Sequence, residues 1–109
     1  MKLSELLKYF KGVYIFNESV EIKNGYVGDL LSEIMRNMSS TSILITHQTH
    51  PNIVAVASIV EANTIIIPEG FEYEEKTIEK AKENDVNLLK SKYDIFETTG
   101  IIYKKLKEE

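Results

Sequence analysis

The sequence predicts a single α/β domain in which a layered, mostly parallel β-sheet is covered by helices on both faces. Short runs of β-branched residues alternate with segments of helical periodicity, and this alternation is typical of parallel strands joined by crossover helices. Residues 51–62 are apolar nearly all round, which indicates a helix that is covered on more than one side. A chain of 109 residues suffices for one core, so we expect one domain over residues 1–109.

The first part of the chain predicts one short helix and two short strands. Apolar side chains at helical spacing predict a helix over residues 3–11, and residues 13–16 predict the first strand. Val20 and Ile22 alternate with charged residues, which predicts a short second strand or an exposed hairpin arm. We expect Asn24-Gly25 to form a turn beside it.

The middle of the chain predicts two helices separated by a strand and a polar hinge. Asp29 is a predicted N-cap for a helix whose apolar face comprises Leu30, Leu31, Ile34, Met35 and Met38. A buried strand follows at residues 43–46. Pro51 tolerates the first position of a helix because it has no N–H to satisfy there, so a helix is predicted from Pro51 to about Ala62.

The last third predicts two further strands and two further helices. Residues 65–67 form a buried strand, residues 74–84 a charged surface helix and residues 86–89 a last short strand. Ser91 is a predicted cap for a terminal helix. The apolar stripe expected on this helix comprises Tyr93, Phe96, Tyr103 and Leu106.

Composition limits the possible partners and compartments. There is no cysteine, which fits a reducing compartment, and we expect a cytoplasmic protein. The net charge is −4 with Arg36 as the single arginine, so nucleic acid is not an expected partner. No apolar run approaches the length of a membrane span, so we expect no membrane association.

The ends of the predicted strands give the candidate site. In open α/β sheets ligands bind beyond the carboxyl ends of the strands, and we expect Asn17-Glu18, Thr46–His50, Pro68–Gly70 and Ser91-Lys92 to share that edge. The N–H groups of residues 52–54 are expected to be free and to suit an anion. The candidate ligand-binding residues are Thr46, His47, Gln48, Thr49, His50, Asn52, Glu69 and Gly70.

The sequence contains no recognisable catalytic or cofactor-binding motif. No phosphate-binding loop, dinucleotide fingerprint or nucleophile elbow is present, so we predict no catalytic residues and no cofactor. His47 and His50 could donate two imidazoles to a metal ion, with Asp29, Glu18 or Glu69 as the further ligands. The alternative interpretation of His50 is a helix-entry residue whose ring nitrogen meets a backbone group, and we favour that interpretation.

The chain resembles the DRTGG domain family, which is similar to the amino-terminal domain of bacterial HPr kinase/phosphatase. The resemblance is strongest over residues 25–100. It rests on Gly25-Tyr26-Val27-Gly28-Asp29-Leu30-Leu31, on Leu44-Ile45-Thr46, on Asn52-Ile53-Val54-Ala55-Val56-Ala57 and on Ile65-Ile66-Ile67 followed by a glycine turn. The family's Asp-Arg-Thr segment falls on Thr49-His50-Pro51, so this chain lacks the acidic and basic pair for which the module is named.

The resemblance implies a regulatory function. In other members the module is joined to catalytic or CBS domains, where it looks like a regulatory or dimer-forming part. It implies a non-catalytic module linked to adenine nucleotides, so we expect an adenine nucleotide or another small anionic ligand to bind at the hinge, residues 46–52. The apolar helix at residues 51–62 and the stripe of Tyr93, Phe96 and Tyr103 predict a homodimer. The alternatives are a protein–protein adaptor without a metabolite ligand and a metal-dependent enzyme that uses His47 and His50.

Overall fold

The computed structural model describes residues 1–108 and has the predicted α/β architecture. Ten helices and strands occur along this part of the chain. They are α1 (Leu3–Leu6), β1 (Lys11–Tyr14), β2 (Asn24–Val27), α2 (Leu31–Asn37), β3 (Ser42–Ile45), α3 (Asn52–Ile59), β4 (Thr64–Ile67), α4 (Glu75–Asn84), β5 (Asn87–Lys90) and α5 (Ile95–Lys107).

The five strands form one sheet in the order β1-β5-β4-β3-β2. Strands β2 to β5 are parallel, and β1 pairs antiparallel with β5. The prediction of a mostly parallel sheet is therefore confirmed. All residues of β3 and β4 are buried, as expected for central strands covered on both faces.

Helices cover both faces of the sheet, as predicted. One core contains Leu44, Ile65 and Leu88 of the sheet together with apolar residues of α2, α3 and α4. The other core contains Ile43 and Ile66, packed against residues of α1 and α5. Alternate residues of each strand thus face opposite cores, which follows from the two-residue period of a strand.

Helix α3 is the central helix of its layer. It contacts α2 on one side and α4 on the other, and Ile53, Val54 and Ala57 are fully buried. The nearly uniform apolar character of this segment is therefore explained within one chain, because neighbouring helices and the sheet surround it. Its composition gives no support to a dimer, and the homodimer stays a prediction.

Strand β2 corrects the sequence prediction for this region. The second strand is not at Val20 and Ile22 but at Asn24–Val27, so Asn24-Gly25 begins a strand and does not form a turn. Gly25 pairs with Ile43 of β3, and a Cβ atom at Gly25 would lie 3.3 Å from Cγ2 of Ile43. Glycine suits this position because the two strands approach each other closely.

The amino-terminal helix begins at Leu3 as predicted but ends earlier, and the first strand lies two residues earlier than predicted. Helix α1 ends at Leu6 because β1 already begins at Lys11. The N–H groups of Phe16 and Asn17 leave the sheet and donate to Oδ1 of Asn87, at 2.9 and 3.2 Å. Asn87 begins β5, so Asn17-Glu18 lies at the amino edge of the parallel strands. The prediction that this pair joins the other strand ends at the carboxyl edge is wrong.

Helix α5 is capped and oriented differently from the prediction. Its N-cap is Asp94, whose side chain accepts a hydrogen bond from the N–H of Glu97 at 2.8 Å. Its fully buried residues are Thr98 and Ile102, whereas Phe96 is 87% and Tyr103 61% exposed. The predicted stripe is wrong at Phe96 and Tyr103, because it followed the large aromatic residues while branched residues between them face the sheet. Tyr93 and Leu106 pack against the core, as predicted. Ser91 instead hydrogen-bonds Oγ1 of Thr98 at 2.7 Å.

Two substitutions in α5 test this orientation. We expect Ile102→Ala to lower the free energy of unfolding by about 2–5 kcal/mol, because it leaves a cavity in the core. Phe96→Ser should change it by less than about 0.5 kcal/mol because the side chain is exposed. Urea denaturation measures both values. A larger loss for Phe96→Ser than for Ile102→Ala would contradict the observed orientation.

Candidate functional site at the carboxyl edge of the sheet

The loops that follow the four parallel strands meet at one edge of the sheet. The N–H of Gly28, after β2, donates to the carbonyl of Ile45 at 3.1 Å, and the N–H of Thr46, after β3, donates to the carbonyl of Ile66 at 3.1 Å. The N–H of Gly70, after β4, donates to the carbonyl of Ser91, after β5, at 2.8 Å. Each loop is therefore bonded to the neighbouring strand or loop along the edge.

The carboxylate of Asp29 organises the first half of this edge. Its Oδ1 accepts hydrogen bonds from Oγ1 of Thr46 at 2.9 Å and from the backbone N–H of His47 at 2.7 Å. Helix α2 has Leu30 as its N-cap, without a side-chain hydrogen bond, so the prediction that Asp29 caps this helix is wrong. The carboxylate points instead to the hinge after β3, where it accepts from the hydroxyl of Thr46 and from the N–H of His47, a backbone donor that has left the strand.

The side chain of His47 lies between two carboxylates. Its Nδ1 is 3.1 Å from Oδ2 of Asp29, and its Nε2 is 3.2 Å from Oε2 of Glu69. A ring that is protonated at both nitrogens can donate to both carboxylates, whereas a neutral ring can donate to one. The ring also lies 6.0 Å from that of Phe71. We call Asp29, His47 and Glu69 the histidine tie, since they join the loops after β2, β3 and β4.

The pKa of Asp29 reflects two opposing effects. Partial burial raises it, but the hydrogen bonds from the backbone of His47, from Thr46 and from the His47 ring outweigh burial, so the pKa lies below the ordinary 3.8. Hydrogen bonds to a carboxylate favour its charged form. Asp29 is thus held as an anion at neutral pH.

The rest of the hinge is bonded largely within the chain. The N–H of Gln48 donates to Oγ1 of Thr46 at 3.1 Å, and its side-chain Nε2 donates to the carbonyl of Asp29 at 3.0 Å. The carbonyl of Thr49 accepts from Oγ1 of Thr77 on α4 at 2.6 Å. Nδ1 of His50 accepts from the N–H of Asn52 at 3.1 Å, as the favoured interpretation of His50 expects.

The start of α3 does not offer the free amides that we predicted. The N–H of Asn52 is bonded to His50, that of Ile53 to the carbonyl of His50 at 3.0 Å, and that of Val54 to the carbonyl of Pro51 at 3.0 Å. The prediction of three free donors is wrong because the hinge folds back as a cap. Thr46 is fully buried, and its hydroxyl holds the half-exposed carboxylate of Asp29 at the surface of this edge.

The arrangement does not favour the metal-dependent alternative. Within residues 1–108, no group of three or more His, Cys, Asp or Glu side chains is placed to hold a metal ion. Nδ1 of His50 is engaged with Asn52, and both ring nitrogens of His47 face carboxylates. Glu18 lies in the segment at the opposite edge of the sheet. A metal-dependent enzyme therefore stays a prediction without a supporting geometry.

A cavity of about 310 Å³ opens at the other half of the same edge. We call it the lysine pocket, after its three cationic side chains. It is lined by Tyr9, Phe10, Lys11, Gly70, Lys90 and Lys92, together with Ser91. Gly70 was a predicted candidate residue, and Ser91-Lys92 was expected at this edge. The other lining residues were not predicted, namely Tyr9, Phe10, Lys11 and Lys90. The lysines on either side of Ser91 are the one local feature of the sequence that could have indicated a cationic site here.

The candidate residues are thus divided between two places. His47 and Glu69 belong to the histidine tie, whereas Gly70 lines the lysine pocket. Glu69 and Gly70 are consecutive left-handed residues, with φ of 61° and 67°. The N–H of Glu69 donates to the carbonyl of Tyr93 at 2.7 Å. This turn is the covalent link between the two places.

These features define a class of small α/β domain with one sheet, helices on both faces and a polar carboxyl edge. The family model of the DRTGG domain matches residues 5–104. The chain therefore belongs to the DRTGG domain family, and the resemblance found in the sequence is confirmed. A search of curated proteins gave no match.

A solved structure supports the fold. The CBS and DRTGG domains of the regulatory region of Clostridium perfringens pyrophosphatase, in complex with the activator diadenosine tetraphosphate, are similar to this chain with a TM-score of 0.72. The identity is 18%, and the match covers 93% of this chain and 45% of that one. At this identity the likeness concerns the fold.

Each helix within residues 1–108 falls short of the length and hydropathy needed to cross a bilayer.

A pH titration tests the role of Asp29. Because its pKa is lower in the folded protein than the ordinary 3.8, its contribution to stability is present above pH 3.8 and is lost as the pH falls below that value. We expect Asp29→Asn to lower the free energy of unfolding at pH 7 by up to about 1 kcal/mol, since the group is half exposed. The difference from the wild type should shrink below pH 4.

Urea denaturation of the wild type and Asp29→Asn at pH 7, 5 and 3 measures this difference. Glu79→Gln, on the exposed surface of α4, is a control with the same change of charge. If the difference between wild type and Asp29→Asn stays constant from pH 7 to 3, the stability that Asp29 contributes does not depend on the ionisation of its carboxylate, and the prediction is wrong.

Proposed function

We propose that this chain is a non-catalytic regulatory module that binds a small anionic ligand, such as an adenine nucleotide, at the carboxyl edge of its sheet. The observation that carries the proposal is the cavity at this edge, which lies beside Gly70 and is lined by three lysines. Its volume of about 310 Å³ is at the lower end of the range for small-molecule sites. It lies where ligands bind in open α/β sheets.

The family relation supports a regulatory role over a catalytic one. The similar pyrophosphatase region is described as regulatory, and it was crystallised with a dinucleotide activator. The present chain has no recognisable catalytic motif in its sequence. Its only histidines are engaged, His47 by two carboxylates and His50 by a backbone N–H. This arrangement suits a module that changes shape or stability when a ligand binds.

The predicted hinge residues contribute to this proposal in different ways. Gln48, His50 and Asn52 are partly or fully exposed and supply neutral polar groups in the hinge after β3. Thr49 is bonded to α4 through its carbonyl. The carboxylates of Asp29 and Glu69 make the histidine tie unsuitable as an anion contact. We therefore assign the hinge to positioning and to neutral contacts.

A thermal-shift screen tests the proposal. The probes are ATP, diadenosine tetraphosphate and inorganic phosphate, with adenosine as the uncharged control. A ligand at a hundred times its dissociation constant adds about 2.7 kcal/mol of stability, which corresponds to a rise in Tm of roughly 10–20 °C for a domain of this size. We expect a rise with ATP or the dinucleotide that adenosine does not match. No rise with any probe, and no heat of binding by calorimetry, would contradict the proposal.

A protein–protein adaptor or homodimer is the second candidate. Strand β2 is at the free edge of the sheet, and its Val27 is 42% exposed. Nearby along the chain, Leu30 is 64% and Met35 42% exposed. Exposed apolar residues at an edge strand are typical of surfaces that contact other proteins.

Sedimentation equilibrium tests this second candidate. It predicts self-association at micromolar concentrations that Leu30→Ser weakens about tenfold, because burying a leucine side chain contributes roughly 1.5–3 kcal/mol. Phe96→Ser, on the other side of the sheet, is the matched control. A monomer at all concentrations would rule out the homodimer and leave the ligand-binding proposal untouched.

A further inference from the structure

Two lysines lie directly opposite each other at the mouth of the lysine pocket. Lys11 of β1 pairs with Lys90 of the antiparallel strand β5, so both side chains emerge on the same face of the sheet. Like charges in such a pair are destabilising. A fold that places them together in a chain of net charge −4 concentrates positive charge at one point of an otherwise acidic protein.

The carboxylate of Glu72 neutralises part of this charge. It forms a short ion pair with Nζ of Lys90, whose side chain is only 19% exposed. The hydrogen bond and charge of Lys90, with a further contribution from the charge of Lys11, hold the pKa of Glu72 below its ordinary value. Glu72 itself is 76% exposed, so its side chain can leave without opening the core.

The backbone and hydroxyl groups around the pocket are not available to a ligand. The N–H of Gly70 is bonded to the carbonyl of Ser91. Oγ of Ser91 is bonded to Oγ1 of Thr98 at 2.7 Å and accepts from the N–H of Tyr93 at 3.1 Å. The cationic residues that line the cavity are Lys11, Lys90 and Lys92. Nζ of Lys90 is paired with Glu72, and Nζ of Lys92 lies 5.3 Å from the centre of the Tyr93 ring, so an anion would be recognised by ammonium groups that exchange these partners for it.

Aromatic residues form the remaining wall. Phe10 is buried, whereas Tyr9 is 45% exposed and its ring is available for stacking. Nζ of Lys105 lies 5.6 Å from the centre of the Tyr9 ring, which places a further positive charge beside this ring. A ligand that combines phosphate groups with a flat ring matches this combination of cations and an exposed aromatic face.

We propose that the lysine pocket binds the phosphate groups of a nucleoside polyphosphate through Lys11, Lys90 and Lys92, and that the ligand displaces the carboxylate of Glu72. Glu72 then acts as an internal competitor for the anion site. The inference rests on the proposed function and deepens it, because it names the side chains that hold the phosphate groups and the carboxylate that competes with them. Binding through flexible ammonium groups also predicts a strong dependence on ionic strength.

Isothermal calorimetry with ATP at low ionic strength tests the pocket. We expect Lys90→Gln to weaken ATP binding by about tenfold or more, since it removes a charge-assisted hydrogen bond. Glu72→Gln should strengthen it by about 1.5- to 5-fold, as expected when an exposed ion pair no longer competes. Inorganic pyrophosphate should bind with the same order of variants, and adenosine should not respond to Glu72→Gln.

Two charge-matched controls separate the pocket from general electrostatics. Lys76→Gln changes the net charge as Lys90→Gln does, and Glu79→Gln changes it as Glu72→Gln does. Both controls lie on the exposed surface of α4, and we expect less than a twofold effect on ATP binding from each. Circular dichroism checks that Lys90→Gln is folded. If it is not, Lys92→Gln replaces it with the same expected direction.

The outcomes distinguish this inference from the proposed function. ATP binding that is equal in Lys90→Gln and Lys76→Gln would overturn the lysine pocket while leaving the regulatory module intact. Weaker ATP binding in Glu72→Gln would overturn the competitor role of Glu72. A failure of ATP and pyrophosphate to bind the wild type would overturn both proposals.

Discussion

The direction of β1 determines what the carboxyl edge of this sheet contains. Because β1 runs antiparallel to β5, its first residue and the turn before it lie beside the last residues of the parallel strands. Lys11, Tyr9 and Phe10 thereby reach an edge that strand-to-helix loops would otherwise occupy alone. A parallel β1 would place these residues at the other edge. The lysine pocket at the carboxyl edge would then lack one of its lysines and its aromatic wall.

The sequence was sufficient for the central elements and insufficient for the peripheral ones. Strands β3 and β4 are short runs rich in isoleucine, and their burial on both faces leaves an unambiguous apolar pattern in the sequence. Asn24-Gly25 has the local preferences of a turn, and only the neighbouring Ile43 shows why a glycine belongs in a strand there. Long-range packing overrode local preference at this position.

The candidate site shows the same limit. The hinge after β3 could be found from its sequence, and so could the role of His50 as a helix-entry residue. Asp29 is 17 residues from Thr46 and 18 from His47 in sequence, and no local pattern predicts such contacts. The lysine pocket is harder still, since Lys11 and Lys90 become neighbours only through a strand pairing that sequence spacing does not specify.

The left-handed turn at Glu69-Gly70 belongs to two neighbourhoods at once. Glu69 reaches back to the imidazole of His47, while Gly70 forms part of the cavity wall on the other side. The backbone between them is one peptide unit, which cannot stretch. A change in the φ and ψ angles of this turn would therefore move the cavity wall and the Glu69 carboxylate beside His47 together. One peptide unit thus joins the lysine pocket to the histidine tie.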